Sequence, residues 1–232
     1  MRHTILAALL SFNAGFVDTA GFLGLQGLFT AHVTGNFVTL AAVFVLGTQG
    51  GAINKVLALP EFVLAVALTR VAGVVLTRRR MPTLSLLLSA EVTLLLLFFA
   101  LGVGFGPFPD SDVPLALLAG CAGVAAMALQ NAVQRVHFPG TPPTTIMTSN
   151  TTQAVLDGVD LLRGGGSAQV KTRFEITFRS IAWFAAGCAL AASLYYLAGF
   201  WSLAVPVAIG AAIVLHSMKH DPEGGPRPQH AG

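Results

Sequence analysis

Long apolar runs recur along the whole chain, broken by short polar stretches. The runs are continuous rather than alternating, so they read as helices and not as the strands of a barrel. A helix needs about 20 apolar residues to cross a bilayer. Six runs qualify, at roughly 4–24, 54–77, 83–104, 113–134, 176–198 and 200–218. Two further segments, about 34–47 and 145–162, are helical in pattern but awkward as crossings: the first is short and the second strongly polar. The expected fold is an all-α polytopic membrane protein with six transmembrane helices plus two short re-entrant or broken helices. It forms one transmembrane domain over 1–218, followed by a disordered cytoplasmic tail over 219–232.

The basic residues orient these elements. If all eight segments crossed, Arg78, Arg79 and Arg80 would face away from the basic cluster over 163–179. With six crossings, Arg2, Arg78 to Arg80, Arg135, Arg163, Lys171, Arg173 and Lys219 share one face, while Asp110 and Asp112 lie on the other. Only Lys55 dissents. The positive-inside rule therefore favours six crossings with both termini cytoplasmic. Met1-Arg2-His3 and the apolar stretch after it lack a small-x-small cleavage site, so they read as an uncleaved first span.

The chain also repeats itself. Thr34-Gly35-Asn36 and Thr148-Ser149-Asn150 lie 114 positions apart, and the same offset pairs Glu61 with Glu175, Ala72 with Ala186 and Gly73 with Gly187. The repeats span about 4–104 and 113–218. Three crossings in each make the second copy inverted relative to the first, an arrangement that points to a solute pathway between halves.

Composition and charge narrow the function. Charged residues make up 10% of the chain against 54% hydrophobic, where soluble domains carry roughly 25% charged residues. The net charge of +3 is confined to short loops, and no soluble basic domain exists to bind nucleic acid. Cys121 and Cys188 lie in apolar runs without metal or disulfide spacing, and no cofactor is expected. No enzyme motif is present.

The candidate chemistry lies in polar residues inside apolar surroundings. The two triplets follow turn-rich loops and precede helices, where Thr, Ser and Asn oxygens cap free N–H groups. Two such half-buried helix tips, converging near the midplane, would suit an anion or a polar solute end. Asp18 lies late in the first span and pairs, after a one-residue gap, with Asn131. Such a charge costs roughly 2.5–3.5 kcal/mol on insertion scales, so it needs a partner. It reads as a solute contact, a proton carrier or half of a structural ion pair. The candidate substrate-binding set is Asp18, Thr34, Asn36, Asn131, Thr148 and Asn150; Asp18, Glu91 and His32 are candidates for proton coupling. Arg70 reads as a snorkelling side chain. Asn150, Gln153, Asp157 and Asp160 share one helix face, opposite Ala154, Val155 and Leu162. Ala116-Gly120-Val124, Ala119-Gly123-Met127 and Ala182-Ala186-Gly187 read as helix-packing ridges.

Gly15-Phe16-Val17-Asp18-Thr19-Ala20-Gly21-Phe22 with Phe29-Thr30-Ala31-His32-Val33-Thr34-Gly35-Asn36, and Gln130-Asn131-Ala132 with Thr145-Ile146-Met147-Thr148-Ser149-Asn150, resemble the YoaK family of bacterial inner-membrane proteins. Ser149 stands where the pattern expects a second glycine. The resemblance implies a multi-pass protein of the bacterial inner membrane and names no substrate. The expected function is a transporter or channel for a small polar or anionic solute, with a site between the repeats. The alternative is a non-transporting accessory or structural membrane protein. The expected partners are the lipid bilayer and the solute, and small lipid-facing residues leave room for a homodimer.

Overall fold

The structure, a computed structural model, describes residues 2–47 and 50–220. It contains helices α1 (Arg2–Gly24), α2 (Gly35–Leu46), α3 (Ala52–Arg78), α4 (Thr83–Phe105), α5 (Pro114–His137), α6 (Met147–Leu162), α7 (Ala168–Ala198) and α8 (Ala204–His220), with a 3₁₀ turn at Gly199–Leu203. No described residue lies in a strand. Five stretches are long and apolar enough to cross a membrane, and the last, Ala168–Lys219, contains both α7 and α8. The chain is a helical, multi-pass membrane protein. Its outer surface agrees: Val38, Phe44 and Val45 of α2 and Val63, Leu64 and Leu68 of α3 are exposed, as lipid rather than water requires.

Several boundaries differ from expectation: α5 ends at His137 rather than near 134, and α8 starts at Ala204 rather than near 200. Helix α7 begins at Ala168 rather than near 176, because the Ser167 hydroxyl caps it by accepting a hydrogen bond from the Val170 amide at 3.3 Å. Helix α8 continues through Lys219 to His220, and the rest of the expected tail, 221–232, lies outside the described residues.

Helices α1 and α7 run parallel. Ser11 and Ser180 hydroxyls meet at 2.7 Å, the Cys188 thiol donates to the Gly15 carbonyl at 3.4 Å, and Gly24 sits beside Tyr195 and Phe200. Helices α3 and α5 also run parallel, from Asn54 Nδ2 donating to the Ala116 carbonyl to a cleft shared by Arg78 and His137. Helix α4 packs on α5, α8 on α1, and α4 on α8; α2 lies on α3 and α6 on α7. Exchanging α1–α4 for α5–α8 maps these pairings onto one another.

Hydrogen bonds fix the ends. Just beyond α1, Gln26 donates to the Pro109 carbonyl and accepts from the Ser111 amide, while its own carbonyl takes Lys55 Nζ at 2.7 Å. The end of α1, the start of α3 and the α4–α5 loop therefore share one face, so the segment carrying α2 leaves and returns to that face. Lys55 is a buried peg between the Gln26 and Gly50 carbonyls. Beyond α5, Pro139–Pro143 lie beside the first turns of α7, giving α6 the same return geometry.

Small residues permit close packing. Ala116, Ala119, Gly120 and Gly123 are buried, and a Cβ on Gly120 would collide with the Asn54 amide. On α7 only Gly187 follows the expected ridge; Ala182 and Ala186 are exposed, because α1 meets the other side of that helix. One apolar cluster includes Val17, Leu95, Phe98 and Met127, and another includes Leu10, Leu88, Leu129 and Val133.

Candidate functional site

Each broken segment is held by side chains of the helix before it. The buried Asp18 Oδ1 accepts the Ala31 amide at 2.7 Å, the His32 amide at 3.3 Å and the Thr30 hydroxyl at 3.4 Å. Its Oδ2 lies 2.6 Å from His32 Nδ1. That hydrogen bond, opposed by desolvation and aided by the carboxylate charge, holds His32 above its ordinary 6.5. The carboxylate is thus committed to its own loop, which answers the cost of placing it in an apolar span. In the second half, Asn131 Oδ1 accepts from the Thr145 hydroxyl at 2.9 Å, and Gln130 Nε2 donates to the Thr144 hydroxyl at 3.1 Å. Gln134 Nε2 donates to the Pro142 carbonyl at 2.7 Å.

The two asparagines of the triplets act alike. Asn36 bonds both backbone groups of Phe29, accepting its amide and donating to its carbonyl, each at 2.8 Å. Asn150 donates to the carbonyl of Pro143 at 2.7 Å, and proline has no amide to return. Phe29 and Pro143 are again 114 positions apart.

The capping expectation is corrected. Thr34 and Ile146 are the N-cap residues, and neither makes a side-chain cap; Thr34 and Thr148 are exposed. The first amides of α2 instead bond the His32, Val33 and Thr34 carbonyls, a tight turn that leaves them no free donors for an anion. Each short helix packs on its own long helix, α2 on α3 and α6 on α7.

The 114-residue offset relates the residues of two helix seams. In the α1/α7 seam, Asp18, His32, Phe184 and Gly187 lie close. The His32 ring stands edge-on to Phe184 at 5.5 Å, and a Cβ on Gly187 would collide with the Phe12 carbonyl. Their counterparts in the α3/α5 seam are Asn131, Ile146, Arg70 and Gly73. These four line a cavity of about 770 Å³, with Thr69, Arg78 and Arg135 also on its wall. A Cβ on Gly73 would meet nothing nearer than 3.8 Å. Among the described residues none that is acidic lines this cavity.

Asn150 lies apart, on a second cavity of about 660 Å³ with Gln153 and Arg173. The polar face of α6 points at α7: Asp157 is buried, bonded to Gln153 at 2.8 Å and to Arg173 at 2.6 and 2.8 Å. The Arg173 hydrogen bonds hold the Asp157 carboxyl below its ordinary range. Asp160, Val155 and Leu162 are exposed. Glu91 is buried on α4 and lines neither cavity. Sequence reasoning missed Arg70 and Arg135 as cavity residues and Gln134 as a loop clamp. Arg70 carried a usable signal, since it stands 114 positions before Phe184.

Among the described residues no cluster of three metal-ligating side chains occurs. The family model described as a protein of unknown function (DUF1275) matches residues 6–216, and the chain belongs to that family. No curated protein and no solved structure matches.

Proposed function

We propose that this member of the unknown-function family is a transporter for a small anionic or polar solute, and that its halves are inverted repeats about an axis in the membrane plane. The open α3/α5 seam beside its closed α1/α7 counterpart carries this reading. Two states of one interface, present together in one molecule, are what alternating access between inverted repeats requires. Arg78, Arg135 and His137 line the cavity, and the positive-inside rule supports an opening toward the cytoplasm. Both termini then lie there too, and the YoaK-like motifs point to a bacterial inner membrane. Arg70, Arg135 and Asn131 favour an anion with an apolar body, since Val66, Val74, Leu84, Leu87, Val133 and Val136 supply an apolar stretch of the wall. Asp18 and His32 occupy the matching place in the closed seam, where opening would expose them to the solute. Asn36 and Asn150 hold the loops in shape, and Thr34 and Thr148 lie at the starts of the short helices.

The test is flux of a panel of small organic anions in proteoliposomes. Gly73→Phe fills the cavity and should abolish flux without lowering the melting temperature, and Arg70→Gln should weaken it. Unimpaired flux in Gly73→Phe would overturn the reading. The competing role, a non-transporting accessory protein, draws on the commitment of Asp18, Asn36 and Asn150 to their own loops. It expects no flux of any solute, and protection of a cysteine at Asn131 from impermeant maleimide.

A further inference from the structure

Among the described residues, three buried side-chain oxygens have no hydrogen-bond partner: Asn13 Oδ1, Glu91 Oε2 and Gln130 Oε1. Their residues are 0%, 2% and 0% exposed. All three atoms are acceptors, and the amide orientations are fixed by carbonyls. Asn13 Nδ2 donates to the Pro206 carbonyl at 3.2 Å, and Gln130 Nε2 to the Leu10 carbonyl at 3.0 Å. An orphaned buried acceptor costs roughly 1–3 kcal/mol. Three acceptors and no donor call for something positive.

The three residues share one layer. On α4, Glu91 lies between Leu88 of one apolar cluster and Leu95 of the other. On α1, Asn13 lies between Leu10 and Val17, and on α5 Gln130 lies between Val133 and Met127, again with one residue from each cluster. The boundary between the two apolar clusters is therefore polar on three helices at once. Two contacts tie the layer together. Gln130 bonds Leu10, one turn before Asn13, and Gly210 of α8 lies between Val92, next to Glu91, and the Asn13 amide. Other ionisable groups stand off: Asp18 on α1, Arg135 on α5 and His216 on α8 are each more than a turn away along their helices, and Arg70 and Arg78 of α3 line the cavity with Leu84 and Leu87.

We propose that Asn13, Glu91 and Gln130 form a buried site for one monovalent cation, with one carboxylate to balance its charge and two amide oxygens to replace its water. A divalent ion is a poorer match, since calcium and magnesium sites gather more carboxylate oxygens. A sodium ion or a proton meets the requirement. The inference does not depend on solute transport, because its readout is the protein alone.

The experiment follows the melting temperature of the full-length purified protein in detergent, in sodium, potassium or choline chloride at constant ionic strength. Sodium binding raises the melting point by roughly 4 °C per tenfold concentration once the site fills. Glu91→Gln and Gln130→Met lose that rise. If a proton is the occupant, sodium has no effect. Infrared difference spectra in choline then show a protonated carboxyl that vanishes with rising pH and is missing from Glu91→Gln. Should Glu91→Gln not fold, Gln130→Met must still weaken the sodium response or shift the carboxyl band. An unchanged melting point in every salt, with no titrating carboxyl, overturns the site. So does a sodium response retained in both variants.

Discussion

The α1/α7 and α3/α5 seams are built from corresponding residues, yet one is shut and the other holds a cavity. In the shut seam the small residues are in use: Gly15 and Gly187 let the two backbones touch, with the Phe184 carbonyl against Gly15 and the Phe12 carbonyl against Gly187. In the open seam Gly73 faces space, and Arg70 stands where its counterpart is Phe184. Glycine alone does not close a helix pair in lipid. Close approach also needs an apolar neighbour to fill the groove, and Phe184 does so where Arg70 does not.

The comparison breaks most sharply at Asp18. Asp18→Ala strands the amides of Ala31 and His32 and should cost about 3 kcal/mol, whereas Asn131→Ala, which loses the bond from Thr145, should cost about 1 kcal/mol. Equal losses, measured by denaturant unfolding in mixed micelles, would mean that the two loops are held equivalently. Next come the glycines. Gly187→Ala overpacks the closed seam and should cost about 1–3 kcal/mol, while Gly73→Ala should stay within about 0.5 kcal/mol. A tolerated Gly187→Ala would show that the closed seam has slack.

The asparagines sharpen the contrast further. Asn36→Ala removes two backbone bonds and Asn150→Ala one, so the first should cost about 1 kcal/mol more. The smallest effect is that of pH. His32 is raised above 6.5 by Asp18, so the pair stabilises fully below that value and the contribution fades as pH climbs through the raised one. The melting-temperature gap between wild type and His32→Gln should therefore narrow with rising pH. A gap that widens would mean that the neutral imidazole is the form Asp18 holds.

Hydropathy made the apolar helices legible, because lipid forces that pattern onto the sequence. The 114-residue offset made the seams legible in principle, since it relates Arg70 to Phe184 and Gly73 to Gly187. What the residues did not disclose was the use of the triplets. Thr and Asn before a helix are good caps by local rules, but Asn36 reaches back seven positions to Phe29, a contact set by the path of the loop. The open cavity was hidden for a similar reason. Paired residues reveal that two interfaces are related, whereas their difference in spacing is a property of the packed bundle.

Helix α1 finds its principal partner late in synthesis: the thiol that meets Gly15 belongs to a residue 173 positions downstream. At about 5–20 residues per second, the first span waits on the order of ten to thirty seconds in the bilayer before α7 emerges. Asp18 need not wait with it. Ala31 and His32 are made within about one to three seconds, and they neutralise the most expensive group of that helix from its own neighbourhood. The loop is thus a built-in escort for a nascent span, and its failure should show as degradation of newly made chains before any loss of activity.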